Sequence, residues 1–163
     1  MIKKLILTLV LIEAVLAALL LTTVSCNPQD TAEETGAAEP LITMEKGACF
    51  GTCPVYAIQI YSDGRASYQG EKYVKNVGLF QRQLPAEAIT ELVNAFQHAG
   101  FFSLQDEYVA EVTDLPVTWL SFRHQGQYKK IKDLIDAPPV LKELEQRVAA
   151  IAEEEGWQPA AGK

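Results

Sequence analysis

Two cysteines four residues apart restrict this chain more than anything else in it. Cys49 and Cys53 stand in Gly47-Ala48-Cys49-Phe50-Gly51-Thr52-Cys53-Pro54-Val55-Tyr56, a stretch that joins two apolar, strand-like runs. A disulfide needs Cα atoms about 4.4–6.8 Å apart, and a turned segment of this length supplies that. Gly51 permits positive φ at the tip. Pro54 sets φ where the chain leaves the loop for the next strand, a first position that proline tolerates. The expected outcome is a structural staple at a strand entrance, modest in its effect because short loops gain least from closure.

Two other chemistries use such a pair. A redox-active pair is usually Cys-x-x-Cys at a helix N-terminus, which lowers the thiolate pKa; here the spacing is one longer and a strand follows. A soft-metal site is the other, since thiolates suit Cu(I). Cys49-x-x-x-Cys53-Pro54 is similar to the motif of the copper-delivery proteins that help assemble cytochrome oxidase, and that resemblance implies a distant histidine as third ligand, for which His124 is the candidate. The strand-helix alternation of their fold is missing here.

The N-terminus bears on the choice, because it sets the compartment. Met1-Ile2-Lys3-Lys4 is a short basic region, followed by an apolar run from Leu5 to Val24 that only Glu13 interrupts with charge. This is the pattern of an export signal over residues 1–25. Val24-Ser25-Cys26 resembles a lipobox, which implies lipid on Cys26, although Thr23 stands where leucine is usual. The competing reading is an uncleaved anchor, since the run is long enough to span a bilayer. Glu13 opposes it, at about 2.5–3.5 kcal/mol for a mid-span acid. Either way the remainder lies outside the cytoplasm, where disulfides persist. Asn27 in place of aspartate after the cysteine leans towards the outer membrane. With lipid on Cys26, the other two cysteines form an even pair.

Removal of residues 1–25 takes away Lys3, Lys4 and Glu13, so 14 basic and 21 acidic residues become 12 and 20, and net −7 becomes −8. An acidic chain argues against nucleic acid and anionic lipid surfaces as partners. The expected partners are the membrane, through the lipid, and an envelope protein or component. Residues 26–40 are acidic, small and without aromatics, which reads as a disordered tether.

The folded part is expected over 41–157 as one α+β domain, a mainly antiparallel sheet with two helices on one face, followed by a disordered tail over 158–163. Leu41 to Lys46 and Val55 to Tyr61 read as strands, the second with Tyr56, Ile58 and Ile60 on one face. Asp63-Gly64 marks a hairpin turn, with a return over Ala66–Gln69. Lys72–Val77 and Leu79–Leu84 read as a further strand pair. Pro85 opens a helix whose buried stripe is Ile89, Leu92, Val93 and Phe96, stopped at Gly100. His98 in its last turn reads as a dipole cap. Residues 103–114 read as a solvated acidic loop, and Pro116–Arg123 and Tyr128–Leu134 as a hairpin about Gln125-Gly126. Lys129, Lys130 and Lys132 on the last strand are expected to blunt an exposed edge. Asp136 is the expected N-cap of a final helix whose stripe is Leu141, Leu144, Val148 and Ile151, with Trp157 folding back on the core.

The chain resembles an uncharacterised domain family found in bacterial lipoproteins and secreted proteins. The residues that carry the resemblance are Cys49-Phe50-Gly51-Thr52-Cys53-Pro54-Val55-Tyr56, Asp63-Gly64, Tyr68-Gln69-Gly70, Phe101-Phe102, Asp114-Leu115-Pro116, Lys132-Asp133, Ala137-Pro138, Leu141 and Leu144-Glu145. It covers nearly all of the expected folded part and brings no activity with it. No phosphate loop, His-Glu-x-x-His or Gly-x-Ser-x-Gly motif is present. No catalytic residues are assigned, and no cofactor is expected outside the copper alternative. The expected function is that of a membrane-tethered envelope lipoprotein with a non-catalytic binding or structural domain, the alternative being a periplasmic redox or copper-handling protein.

Overall fold

The computed structural model describes residues 38–111 and 114–160. The export signal, Cys26 and most of the tether lie outside these residues, as do residues 161–163. Among the described residues no helix is long and apolar enough to cross a membrane.

Eight strands form one sheet: β1 (Ile42–Lys46), β2 (Val55–Ile60), β3 (Arg65–Lys72), β4 (Gly78–Gln83), β5 (Glu107–Tyr108), β6 (Thr118–His124), β7 (Gln127–Asp133) and β8 (Gln158–Pro159). Their order is β5-β7-β6-β1-β2-β3-β4-β8. Every pairing is antiparallel except β5 with β7. The helices are α1 (Ala86–His98) and α2 (Pro139–Glu153). The fold is α+β, as the patterning indicates.

The period-two alternation of the strands divides the sheet into two unlike faces. Ile42 and Met44 of β1 pair with Ile60 and Ile58 on one side and with Phe122 and Leu120 on the other, and all six side chains are buried. They pack with Ile89, Leu92 and Phe96 of α1 and Leu141, Leu144 and Val148 of α2 in one core. Phe96 anchors its centre, with ring centroids 5.1 Å from Phe101 and 4.7 Å from Phe122. The opposite face is polar: the hydroxyls of Thr43 and Ser121 are 2.6 Å apart and Lys130 reaches Glu45 at 3.0 Å. A sheet covered on one side only is what antiparallel hairpin connections allow.

The turns follow their residues. Gly64 (φ 85°) closes the β2–β3 hairpin, where Asp63 accepts a 3.0 Å hydrogen bond from the Arg65 backbone N–H and pairs with its guanidinium at 2.6 Å. Gln125 and Gly126, at φ 49° and 77°, form the β6–β7 turn with the positive φ values that match strand twist. Gly100 stops α1 in the left-handed region at φ 61°.

Several expectations are corrected. The expected strand over residues 72–77 is a turn: β3 runs on to Lys72, then Tyr73 takes φ 55° and the chain folds back before β4. Asp136 is not the cap of α2. It sits at φ 63° and Pro138 is the cap, because consecutive prolines hold the preceding residues extended and delay the helix to Pro139. In the α2 stripe Glu145 is buried and Ile151 only half-buried. The acidic loop contains β5, which pairs along β7. β5 covers β7 only at Lys132 and Asp133, so of the three lysines Lys132 does not stand on an open edge. Lys130 and Lys132 lie over the Trp119 ring on the open face, while Lys129 turns to the other face and pairs with Asp106 at 2.8 Å. Gln158 and Pro159, expected in the tail, add β8 to the edge of β4.

Candidate functional site

The staple forms as expected. Cys49 and Cys53 are disulfide-bonded with Cα atoms 5.8 Å apart, and the small ring holds Phe50 almost wholly in solvent, at 93% exposure. The structure does not bring His124 to this loop. Thr118 pairs with Lys46 beside the loop, whereas His124 ends β6 at the far side of the sheet, roughly 20 Å away at about 3.3 Å per residue. There its ring stacks on Phe122, centroids 5.6 Å apart. Among the described residues no group of three or more His, Cys, Asp or Glu stands together as a metal-binding set.

The chain leaving the staple leads into a cavity instead. Pro54, Tyr56, Tyr68, Tyr73, Val74, Lys75, Asn76, Ala152 and Glu153 enclose about 250 Å³ between the sheet, the turn after β3 and the C-terminal end of α2. Three of the six tyrosines of the chain thus share one small space. Tyr56 and Tyr68 come from adjacent strands and face inward by alternation, their ring centroids 5.4 Å apart. Trp157 backs Tyr68 at 5.4 Å, and Phe80 meets it edge-on at 6.5 Å. Tyr73 is brought over the cavity by the turn, which approaches β3 so closely that only glycine fits at position 70. A Cβ there would lie 1.9 Å from the Asn76 carbonyl oxygen.

Beside the cavity one polar group is buried in an unusual way. Tyr56 is 5% exposed, and its hydroxyl has no hydrogen-bond partner among the described residues. Buried hydroxyls are normally bonded, because desolvation without a partner costs about 1–3 kcal/mol. Burial first, then the charges of Glu153, Tyr68 and Glu145, keep this phenol protonated far above its ordinary range. The Tyr68 phenol is raised too, by burial and by Glu153. Both are therefore hydrogen-bond donors at any physiological pH.

Within Coulombic reach of Tyr56 lies a buried ionisable cluster. Lys142 on α2 pairs with Asp133 at the end of β7 and lies 3.4 Å from Glu145. Asp133 and Glu145 are 1% and 7% exposed, and among the described residues no third group bonds Oδ1 of the one or Oε1 of the other. The Glu145 carboxyl is pushed up to about 7, by burial first and then by the hydrogen bond and charge of Asp133, against the pull of Lys142. A proton held by Glu145 and donated to Asp133 is the arrangement that supplies these oxygens.

The sequence places Tyr56 on one strand face with Ile58 and Ile60, and Tyr68, Gly70, Asp133 and Glu145 among the residues that carry the resemblance, but it assigns none of the five to a site. Their convergence was hidden because they lie on three strands and a helix. One signal was available: Glu145 falls between Leu141 and Val148 on the apolar stripe of α2, where a carboxylate needs a reason. A larger and more open recess of about 440 Å³ lies across β3 and β4, but its Arg65 is already held by Asp63.

A one-faced antiparallel sheet with a disulfide ring leading into a tyrosine-walled cavity defines a small stapled α+β domain with a preformed pocket. A family model matches residues 40–152, well over half of the chain, and the protein belongs to that family, described as "Domain of unknown function (DUF6438)". No curated protein matches the chain.

Proposed function

We propose that this is a lipid-anchored domain of the bacterial cell envelope that works by binding rather than by catalysis, with the cavity beside the Cys49–Cys53 ring as its binding site. The observation that carries the binding reading is the cavity itself, where Tyr56, Tyr68 and Tyr73 converge from β2, β3 and the turn after β3 beside the Cys49–Cys53 ring. Small-molecule sites are concave, mostly apolar and fitted with a few directed polar groups. The basic, apolar N-terminal run ending at Cys26 supports the anchor. The disulfide supports an oxidising compartment. The acidic net charge favours a partner other than nucleic acid.

Intact mass with differential thiol alkylation, on protein taken from its own membranes, tests the anchor. The expected result is a chain beginning at lipid-modified Cys26, with Cys49 and Cys53 protected from alkylation until reduced. A chain that keeps residues 1–25, or free thiols at 49 and 53, overturns that part. Photo-crosslinking from position 73 in whole cells tests the binding role. A reproducible adduct is expected, and none across growth conditions would overturn it.

A further inference from the structure

The charges at the cavity are arranged for a cation. α2 ends in Glu153-Glu154-Glu155, three acids at the helix end whose carbonyls already carry partial negative charge. Cations near this end are favourable and anions are not, so the arrangement is internally repulsive. Two of the acids are neutralised: Arg82 of β4 pairs with Glu154 at 2.7 Å, and Lys75 of the turn after β3 with Glu155. Glu153 has no ion-pair partner among the described residues, and it is the one of the three that lines the cavity. Lys75 lines it too, with its ammonium engaged by Glu155. The space thus carries an excess of one carboxylate, a helix C-terminus and three tyrosine rings whose faces are regions of negative potential.

We propose that this cavity binds the ammonium group of a small organic amine, held against the exposed ring of Tyr73 and over the Tyr56–Tyr68 pair by cation–π attraction and neutralised by Glu153. The proposal rests on the binding reading above and names the ligand class for that site. About 250 Å³ admits an ammonium group with a short polar tail. An anionic ligand would find Lys75 already occupied and would face Glu153 at short range, which like-charge repulsion disfavours. The exposed Tyr73 (59%), held by a backbone at φ 55°, is the wall that ligand binding would cover. The same ammonium chemistry is offered by a free amino alcohol and by an aminophospholipid head group.

The test is NMR of the full chain labelled with ring-¹³C tyrosine in a nonionic detergent. Choline and ethanolamine are titrated against 3,3-dimethylbutan-1-ol, the uncharged counterpart of choline, and against acetate. Saturable shifts of the Tyr56, Tyr68 and Tyr73 ring signals are expected with the amines, and at least about tenfold weaker binding of the uncharged alcohol, the scale of a partly desolvated cation–π contact. Tyr73→Leu and Glu153→Gln, both at exposed positions, leave the fold intact and should each weaken the amines about fivefold or more. Bicelles with and without phosphatidylethanolamine form a second arm: shifts with free ethanolamine alone assign a soluble amine, and shifts only with the lipid assign a head group. Equal binding of the uncharged alcohol, or ring shifts with acetate and none with amines, overturns the ammonium assignment while leaving the cavity a binding site. Undisturbed rings with every probe, together with no crosslink from position 73 in cells, overturn both.

Discussion

The rings of Tyr56 and Tyr68 lie 5.4 Å apart although the residues are not opposite each other: Tyr56 is in register with Gly70, and Tyr68 with Ile58. The place where a side chain at 70 would stand is taken by the returning turn, whose Asn76 oxygen would sit 1.9 Å from a Cβ and whose Val74 would sit 3.0 Å from it. The tyrosine pair is thus roofed by backbone.

Gly70→Ala is therefore expected to open the cavity. The turn must move away from β3, with a stability loss of about 1–3 kcal/mol, the usual range for overpacking. Urea unfolding measures the loss, and the Tyr68 and Tyr73 ring signals report the displacement. An alanine variant of unchanged stability and unchanged ring signals would show that the turn does not press on β3.

Tyr56→Phe isolates the buried hydroxyl from the ring that lines the cavity. Its hydroxyl is buried without a partner, so removal relieves a desolvation cost, and stability should stay level or rise by about 1 kcal/mol. The ring stays in place in this variant, so amine binding should be kept. If the phenylalanine form is less stable than the parent, the hydroxyl has a structural partner.

Glu145 gives the fold a pH dependence of definite sign. Its carboxyl is raised from 4.5 to about 7 in the folded protein. A raised acid binds a proton more tightly when folded, so its contribution is fully present below pH 4.5 and is lost as pH rises through 7. Stability measured by denaturant at pH 5 and pH 8 should be lower at pH 8. Glu145→Gln keeps a donor towards Asp133 without titrating and should flatten that slope. A parent slope that survives in the glutamine variant would assign the effect to other groups.

The disulfide should contribute little to the sheet. Chain-entropy arithmetic for so short a ring gives about 2 kcal/mol at most. The double variant Cys49→Ser and Cys53→Ser is expected to keep its far-ultraviolet circular dichroism and to lose no more than this in urea. Larger loss would mean that the ring also positions Pro54 and Tyr56 for the core.

Much of this protein is legible along the chain because it rests on local rules. The strand alternation at Tyr56, Ile58 and Ile60, the Asp63-Gly64 and Gln125-Gly126 turns, the α1 stripe with its Gly100 stop and the short cysteine ring each depend on residues a few positions apart. Where local rules compete, the reading goes astray. Asp136 has the chemistry of a cap, but the two prolines after it decide where α2 begins. Residues 72–77 have the composition of a strand, but Tyr73 turns left-handed to cross over Gly70.

What only the tertiary structure decided is the site. The cavity needs β2, β3, the turn after β3 and the end of α2 at once, and the Asp133–Lys142–Glu145 cluster needs β7 packed on α2. His124 shows the reverse case: chemically suitable as a partner for the cysteines, it is carried by strand register to the far end of the sheet. Side-chain type and spacing state what a residue can do. Which residues share a low-dielectric space, and so which hydroxyl is left without a partner and which carboxyl keeps its proton, is set by long-range packing that no short window of sequence contains.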